Sequence, residues 1–303
     1  MFTKKTKIIL IALLFLIPAS YFSYRAYTDY QRKIFFEKRK AAWSALQNRL
    51  TAEINRFKGQ SGVVIKDMQT GWVFFHNEGR LFPSASLAKI PIMAACFLAA
   101  DQGKINLTQN IALKLKDKLS GSGVLKDMPP GKSFTVEELI GLMICDSDNT
   151  ATNMLTSLIG IDYLNNAFAS FGLKDTNLSR RVADYYSRDK KGIENFTTAR
   201  DMAVILEKIY RKKLINKDIS ERCLNVLKLT KTNSRIPKYL PPEITVAHKT
   251  GLERRVCHDV GIVYTCSGDF IICVLTKHAT RSSAPAKKFI AKLALHTYSY
   301  FEE

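Results

Sequence analysis

No two of the six cysteines in this 303-residue chain, at positions 96, 145, 223, 257, 266 and 273, stand in a C-x-x-C spacing. The five histidines show no ligand spacing either, so the sequence implies no metal site and no metal cofactor. An internal repeat is also missing, which excludes solenoid and propeller architectures. There is no nucleic-acid motif and no stretch of interleaved basic and aromatic residues, so no nucleic-acid partner is expected. Acids are scarce at the start of the chain. Residues 1–60 carry only Asp29, Glu37 and Glu53 against twelve Lys and Arg. Nor does a cysteine follow the N-terminal apolar run to carry a lipid; the first is Cys96.

What is present belongs to a folded protein. Hydrophobic residues make up 46% and charged residues 24%, and the length is enough for a large core. The formal charge is +19, and its N-terminal excess sits beside an apolar segment. Residues 8–19 read IILIALLFLIPA after Lys4, Lys5 and Lys7. A positive start and about a dozen apolar residues have the form of a secretory signal. Extended through Tyr24, with Tyr21 and Phe22 as interfacial aromatics, the run just reaches the span of a bilayer. Residues 1–28 are therefore expected to be a signal peptide or a membrane anchor. Either places the rest of the chain outside the cytoplasm, with the basic stretch against anionic headgroups. In that oxidising setting some cysteines could pair, and buried free thiols are the other reading.

Residues 29–58 show helical periodicity through Phe36, Trp43, Leu46, Leu50, Ile54 and Phe57, ending at Gly59. Two strands follow, 61–67 and 71–76, as a hairpin. A helix then runs from Ser86 to Gly103. From 104 to 235 the pattern is mostly helical, clearest over 142–158 and 198–214, with Thr198 and Asp201 as cap and first-turn acid of the latter. Residues 178–194 between them are charged and irregular. Strands return at 244–248, 260–266 and 269–275, and an amphipathic helix over 286–300 closes the chain. The terminal segments must share one sheet. The expected fold is α/β (α+β): an antiparallel sheet built from N- and C-terminal segments, flanked by helices, with an inserted all-α domain. The boundaries predicted are 29–103 with 236–303 for the α/β domain and 104–235 for the all-α domain, with a cleft between. A monomer is expected.

Three short motifs lie in a set order. Ser86-Leu87-Ala88-Lys89 opens a helix, Ser147-Asp148-Asn149 sits in the helical block, and Lys249-Thr250-Gly251 ends a strand. Each is weak alone; Ser187 to Lys190 repeats the S-x-x-K spacing in a polar loop. Together and in order they carry chemistry. A serine hydroxyl needs a base to become a nucleophile. Residues three apart share a helix face, so Ser86 and Lys89 meet one turn apart. Lysine is a base only when neutral, which burial among residues 90–100 and a positive neighbour, Lys249, would favour. Ser86 at a helix start also aims its N–H at a developing oxyanion.

With these motifs the sequence resembles the class A β-lactamase family and the related D-Ala-D-Ala peptidases, over about residues 40–300. Phe82-Pro83-Ser84-Ala85 before Ser86, SDNTATN over 147–153, Thr197-Thr198, AHKTG over 247–251 and His258-Asp259 all agree with it. The resemblance implies an enzyme that opens β-lactams through an acyl-Ser86 intermediate, acting on a small-molecule β-lactam or cell-wall peptide. It implies Lys89 as proton acceptor, Ser147 as relay to the leaving nitrogen, and Lys249 and Thr250 as binders of the substrate carboxylate. Asn149 would hold the acyl amide and Lys89, and Gly251 would let substrate lie along the strand edge. The N–H groups of Ser86 and Leu252 would form the oxyanion hole. One departure stands out. The Glu that activates the deacylating water in that family would fall near Ala183, where the chain reads RRVADYYS over 180–187. Asp184 is the carboxylate near that register, either as a substitute base or as a loop salt-bridge partner of Arg180, Arg181 or Arg188. Slow deacylation, a carboxypeptidase or esterase activity, and a sensor that acylates and stops are the alternatives.

Overall fold

The computed structural model describes residues 4–182 and 194–302, and for 6–20 and 23 the backbone alone. Two compact units result, one ending at Arg49 and the other spanning Leu50–Glu302. A single helix, α1 (Lys4–Arg56), takes in both the N-terminal apolar segment and most of the stretch 29–58 expected to be helical. Among the described residues no helix is long and apolar enough to cross a membrane.

Strands β1 (Gly59–Asp67) and β2 (Val73–His76) form the expected hairpin. The two-residue strand β3 (Phe82–Pro83) leads into a 3-10 turn, Ala85–Ala88, and then α2 (Lys89–Asp101). The nucleophile motif thus opens on a tight turn, and the α-helix proper starts at its lysine. Short strands β4 (Asn110–Ala112) and β5 (Ser133–Thr135) pair before α3 (Val136–Cys145). Thr135 and Glu138 form a reciprocal cap at the start of α3.

The sequence pattern suggested one helix over 142–158; the structure has two. α3 stops, and α4 (Asn149–Ile159) restarts with Asp148 as its cap, Oδ1 accepting from Ala151 N at 2.9 Å. Apolar periodicity runs across the break because Met143, Ile144, Ala151, Met154 and Leu155 all enter the same core. Then come α5 (Ile161–Ser170), β6 (Phe196–Thr197), α6 (Ala199–Tyr210) and α7 (Lys217–Lys228). Helix α7, capped by Asn216, begins just past the stretch that the periodicity had marked through 214.

β7 (Val246–Glu253), β8 (Val256–Val263) and β9 (Phe270–His278) complete the sheet, and α8 (Ala284–Glu302) ends the chain. The order is β2-β1-β9-β8-β7, so the N-terminal hairpin pairs with the last strand, antiparallel throughout. These strands are buried nearly end to end because both faces are covered. Val64, Ile271, Cys273 and Leu275 join the large core with α2 and α6. Their alternates point the other way, where α8 packs on β8 and β9 and Phe301 stacks on Phe270 at 5.3 Å. Tyr300 Oη donates to the buried Asp67 carboxylate at 3.0 Å, tying α8 to β1. All six thiols are free, and Cys266 is the exposed one. Strand β7 forms one edge of the sheet, beside the turn that carries Ser86.

Candidate active site

The turn before Ser86 is held from three sides. β3 pairs with β6, and Ser84 N donates to Asn195 O at 2.7 Å. The third hold is His258 on β8. Its Nδ1 accepts from Thr276 N at 3.0 Å, so Nε2 carries the proton and donates to Pro83 O at 2.9 Å. Burial pushes the His258 imidazole down to about 4, which keeps it neutral in this role. Ala85 adopts φ +45°, a left-handed conformation uncommon for alanine, and so turns the chain immediately before Ser86. Gly251 of β7 faces this turn; a Cβ there would lie 3.3 Å from both Ala85 Cβ and the His258 ring. The glycine of the K-T-G motif is what lets the strand edge approach the serine.

Lys89 is completely buried. Its Nζ lies 2.6 Å from Ser147 O, 2.9 Å from Asn149 Oδ1 and 3.1 Å from Ser147 Oγ. Burial first, and then the charge of Lys249, lower its pKa well below the usual lysine range, against the opposing pull of Asp148 and Glu253. Lys249 is buried too, and its Nζ donates to Ser147 Oγ at 3.0 Å and to Thr250 O at 3.1 Å. Burial brings its pKa down to about 7, with Asp259 holding it up and Arg235 pressing it down. Ser147 Oγ therefore stands between two amines. Ser86 Oγ, half-buried, makes no hydrogen bond among the described residues. Lys89 is directed at Ser147 and Asn149 rather than at the serine one turn before it.

The break between α3 and α4 brings these groups together. Ser147 sits at φ +54°. Asp148, fully buried, accepts from Ala151 N through Oδ1, and from Val124 N at 2.7 Å and Leu125 N at 2.9 Å through Oδ2. Gly123 presses so close that a Cβ would overlap the carboxylate. Asn149 Nδ2 donates to Ser120 O at 3.0 Å. The middle of the S-D-N motif thus anchors the loop over 120–125, while its ends face the lysines. Asn153 Nδ2 donates to Asp117 O in the same way.

A cavity of about 310 Å³ opens on Ser86, lined also by Gly121, Ser122, Asn149, Val182, Leu252 and Glu253. Gly121 and Ser122 border the cavity on the side of the 120–125 loop. Thr250 is buried on β7, and Leu252 is half-exposed beside the cavity. Asp184 and Ala183 lie outside the described residues. The adjoining loop residue that does reach the cavity is apolar Val182. Arg180 Nη2 pairs with Glu194 Oε1 at 2.6 Å, joining the two described ends of that loop. Two groups escaped the sequence reading, Glu253 and Arg235. Glu253, two residues beyond the K-T-G motif, carried no signal beyond its position in the strand. Arg235 is 2% exposed and donates from Nε to Cys257 Sγ at 3.3 Å, near Lys249. Nothing local distinguishes it from a surface arginine. His248 and Asp259 were legible only as part of the family pattern; they meet across β7 and β8 at 2.9 Å. Among the described residues no group of three His, Cys, Asp or Glu is arranged to hold a metal.

A half-buried serine on a helix-opening turn, a buried lysine one turn on with its pKa lowered, and an edge strand alongside define a serine hydrolase of the class A β-lactamase and penicillin-binding-protein type. Residues 45–301 match the beta-lactamase enzyme family, and the chain belongs to it. It is 26% identical to Beta-lactamase VEB-1 of Pseudomonas aeruginosa over 233 residues, 73% of this chain and 78% of that protein. Extended-spectrum beta-lactamase PER-1 of the same organism is 26% identical over 74% of this chain and 77% of its own length. Among solved structures, a beta-lactamase from Sphaerobacter thermophilus superposes with a TM-score of 0.78 at 31% identity, covering 86% of this chain and 98% of that one. PBP-A superposes equally well, 0.78 at 28% identity over 85% and 96%.

Proposed function

We propose that this enzyme, acting as a monomer outside the cytoplasm, opens β-lactams by transferring their acyl group to Ser86. The observation that carries the mechanism is the line Lys249–Ser147–Lys89. A charged Lys249 donates to Ser147 Oγ, which leaves the Ser147 proton free to point at the lone pair of a neutral Lys89. Substrate entry beside Ser86 lets Lys89 accept the Ser86 proton as Oγ bonds to the lactam carbonyl carbon. The carbonyl oxygen becomes an oxyanion facing the N–H groups of Ser86 and Leu252. As the C–N bond breaks, Ser147 passes its proton to the ring nitrogen and is reprotonated from Lys89. Lys249 and Thr250 receive the substrate carboxylate, Asn149 the acyl amide, and Gly251 leaves room for substrate along the free edge of β7.

Deacylation is the second half. It needs a base for water, worth roughly 10²–10⁴-fold. Asp184, which lies outside the described residues, fills that role in the sequence register. The missing glutamate at that register supports one alternative, an enzyme whose acyl-serine persists, serving as a β-lactam or peptidoglycan sensor. The L158E mutant of PBP-A, which is 27% identical to this chain, was solved as an acyl-enzyme complex with penicillin G. A D-Ala-D-Ala carboxypeptidase or esterase uses the same acylation step. We read residues 29–103 with 236–303 as one lobe and 104–235 as the other, with substrate held between them. Residues 1–28 serve for export or anchoring.

The test is to follow a chromogenic cephalosporin and the protein mass together. Steady turnover supports the β-lactamase. One burst with a lasting adduct on Ser86 supports the sensor. Release of D-Ala from a peptide without an adduct supports the carboxypeptidase. Activity that survives Ser86→Ala refutes all three.

A further inference from the structure

Next to the acylation cavity lies a second pocket of about 500 Å³, and Leu252 and Glu253 form the wall between the two. Its other walls are cationic. Arg254 and Arg255 come from the turn between β7 and β8, and Arg281 from the segment before α8. All three are exposed, and among the described residues none makes an ion pair or a hydrogen bond through its guanidinium. Glu253 is the one acid in the lining.

Two further features converge there. His278 lines the pocket and is 3% exposed. Its Nδ1 meets Thr280 O at 2.9 Å, while Nε2 is buried with no hydrogen-bond partner. With Nδ1 donating to the Thr280 carbonyl, this buried, unpartnered Nε2 offers an N–H to an oxyanion only as the imidazolium. Ser283 also lines the pocket, immediately before the N-terminus of the 19-residue helix α8. That first turn holds no acid, and Lys287 at its end is followed by Lys288. The helix dipole favours anions at this end, so cations placed here repel it and one another.

We propose that this pocket binds a phosphate-type oxyanion, a phosphate monoester or diester, in a subsite adjoining the acylation cavity. Two arginines of the β7–β8 turn, a third from the segment before α8, and a helix N-terminus line the pocket. A tetrahedral group with several acceptor oxygens can meet more than one of them, whereas a carboxylate satisfies one fork. The ligand is either free phosphate or a phosphodiester headgroup, and binding can be read without any turnover.

The experiment titrates the full chain in nonionic detergent with inorganic phosphate and with glycerophosphoglycerol, using calorimetry and ³¹P line broadening. Acetate at equal ionic strength is the control. Saturable binding of phosphate alone assigns free phosphate, and binding of the diester assigns a headgroup. Arg254→Ser and Arg281→Ser should each weaken that binding about tenfold or more. Lys174→Ser, which removes the same charge elsewhere, should not. The cephalosporin burst without phosphate should be unchanged in both arginine variants. The proposal is overturned if neither phosphate compound saturates, if acetate binds as tightly, or if the arginine variants bind like the parent.

Discussion

Replacing Lys249 with methionine should move the acid limb of acylation upward by about two pH units. Both lysine nitrogens contact Ser147 Oγ, at 3.1 and 3.0 Å, so they lie within about 6 Å of each other. A unit charge at that separation, with an effective dielectric constant of about 20, acts with about 3 kcal/mol. That corresponds to about two pH units. The sign follows from the base role. Lys89 works only as the neutral amine, and positive Lys249 disfavours its protonation. Removing that charge lets Lys89 hold its proton to higher pH, so less neutral base is present at any given acidic pH. The Lys249 pKa is about 7, so below neutrality it carries the charge that the substitution deletes. Methionine keeps the length and the burial, so the desolvation of Lys89 is retained. The assay is the burst rate with a chromogenic cephalosporin at saturation, by stopped flow across the acid range. Saturation separates this effect from weakened carboxylate binding, which appears as a higher substrate requirement. An acid limb that stays in place, or moves down, refutes Lys89 as a base tuned by Lys249.

Glu253→Gln should move the same limb the opposite way, because Glu253 favours protonated Lys89; the same burst assay measures it. Asp148→Ala should destabilise the fold by about 3–5 kcal/mol, read as a lower urea midpoint, because three backbone N–H groups and the tethered 120–125 loop lose their acceptor. Asp184→Asn should leave the burst near its parent rate while the adduct outlives it by roughly 10²-fold or more, in intact-protein mass spectrometry. Unchanged turnover would return Asp184 to a loop salt bridge.

Much of the fold was legible because burial repeats along the chain. The β1–β2 hairpin and the C-terminal strands carry continuous apolar runs, and their separation in sequence required a shared sheet. Less legible was where helices stop. Periodicity continued through Asp146, Ser147 and Asp148 because both helices face one core, and the break shows only in Ser147 at φ +54° and the Asp148 cap. The length of α6 was overestimated for a similar reason, since Leu214 is buried beyond its end.

The site divides along the same line. Spacing and residue chemistry pointed to Ser86, Lys89 and Lys249, and the family resemblance carried by the three ordered motifs added Ser147, Asn149 and Thr250. Tertiary structure decided the rest, because burial and neighbouring charge depend on which segments meet. It directs Lys89 to Ser147 and Asn149 and holds two buried lysines on one hydroxyl. It clamps the nucleophile turn through His258 and Pro83. It also sets Val182 and Glu253 in the cavity, and gathers Arg254, Arg255 and Arg281 beside it from segments more than twenty residues apart. No spacing rule links those positions, so no reading of the chain alone could have joined them.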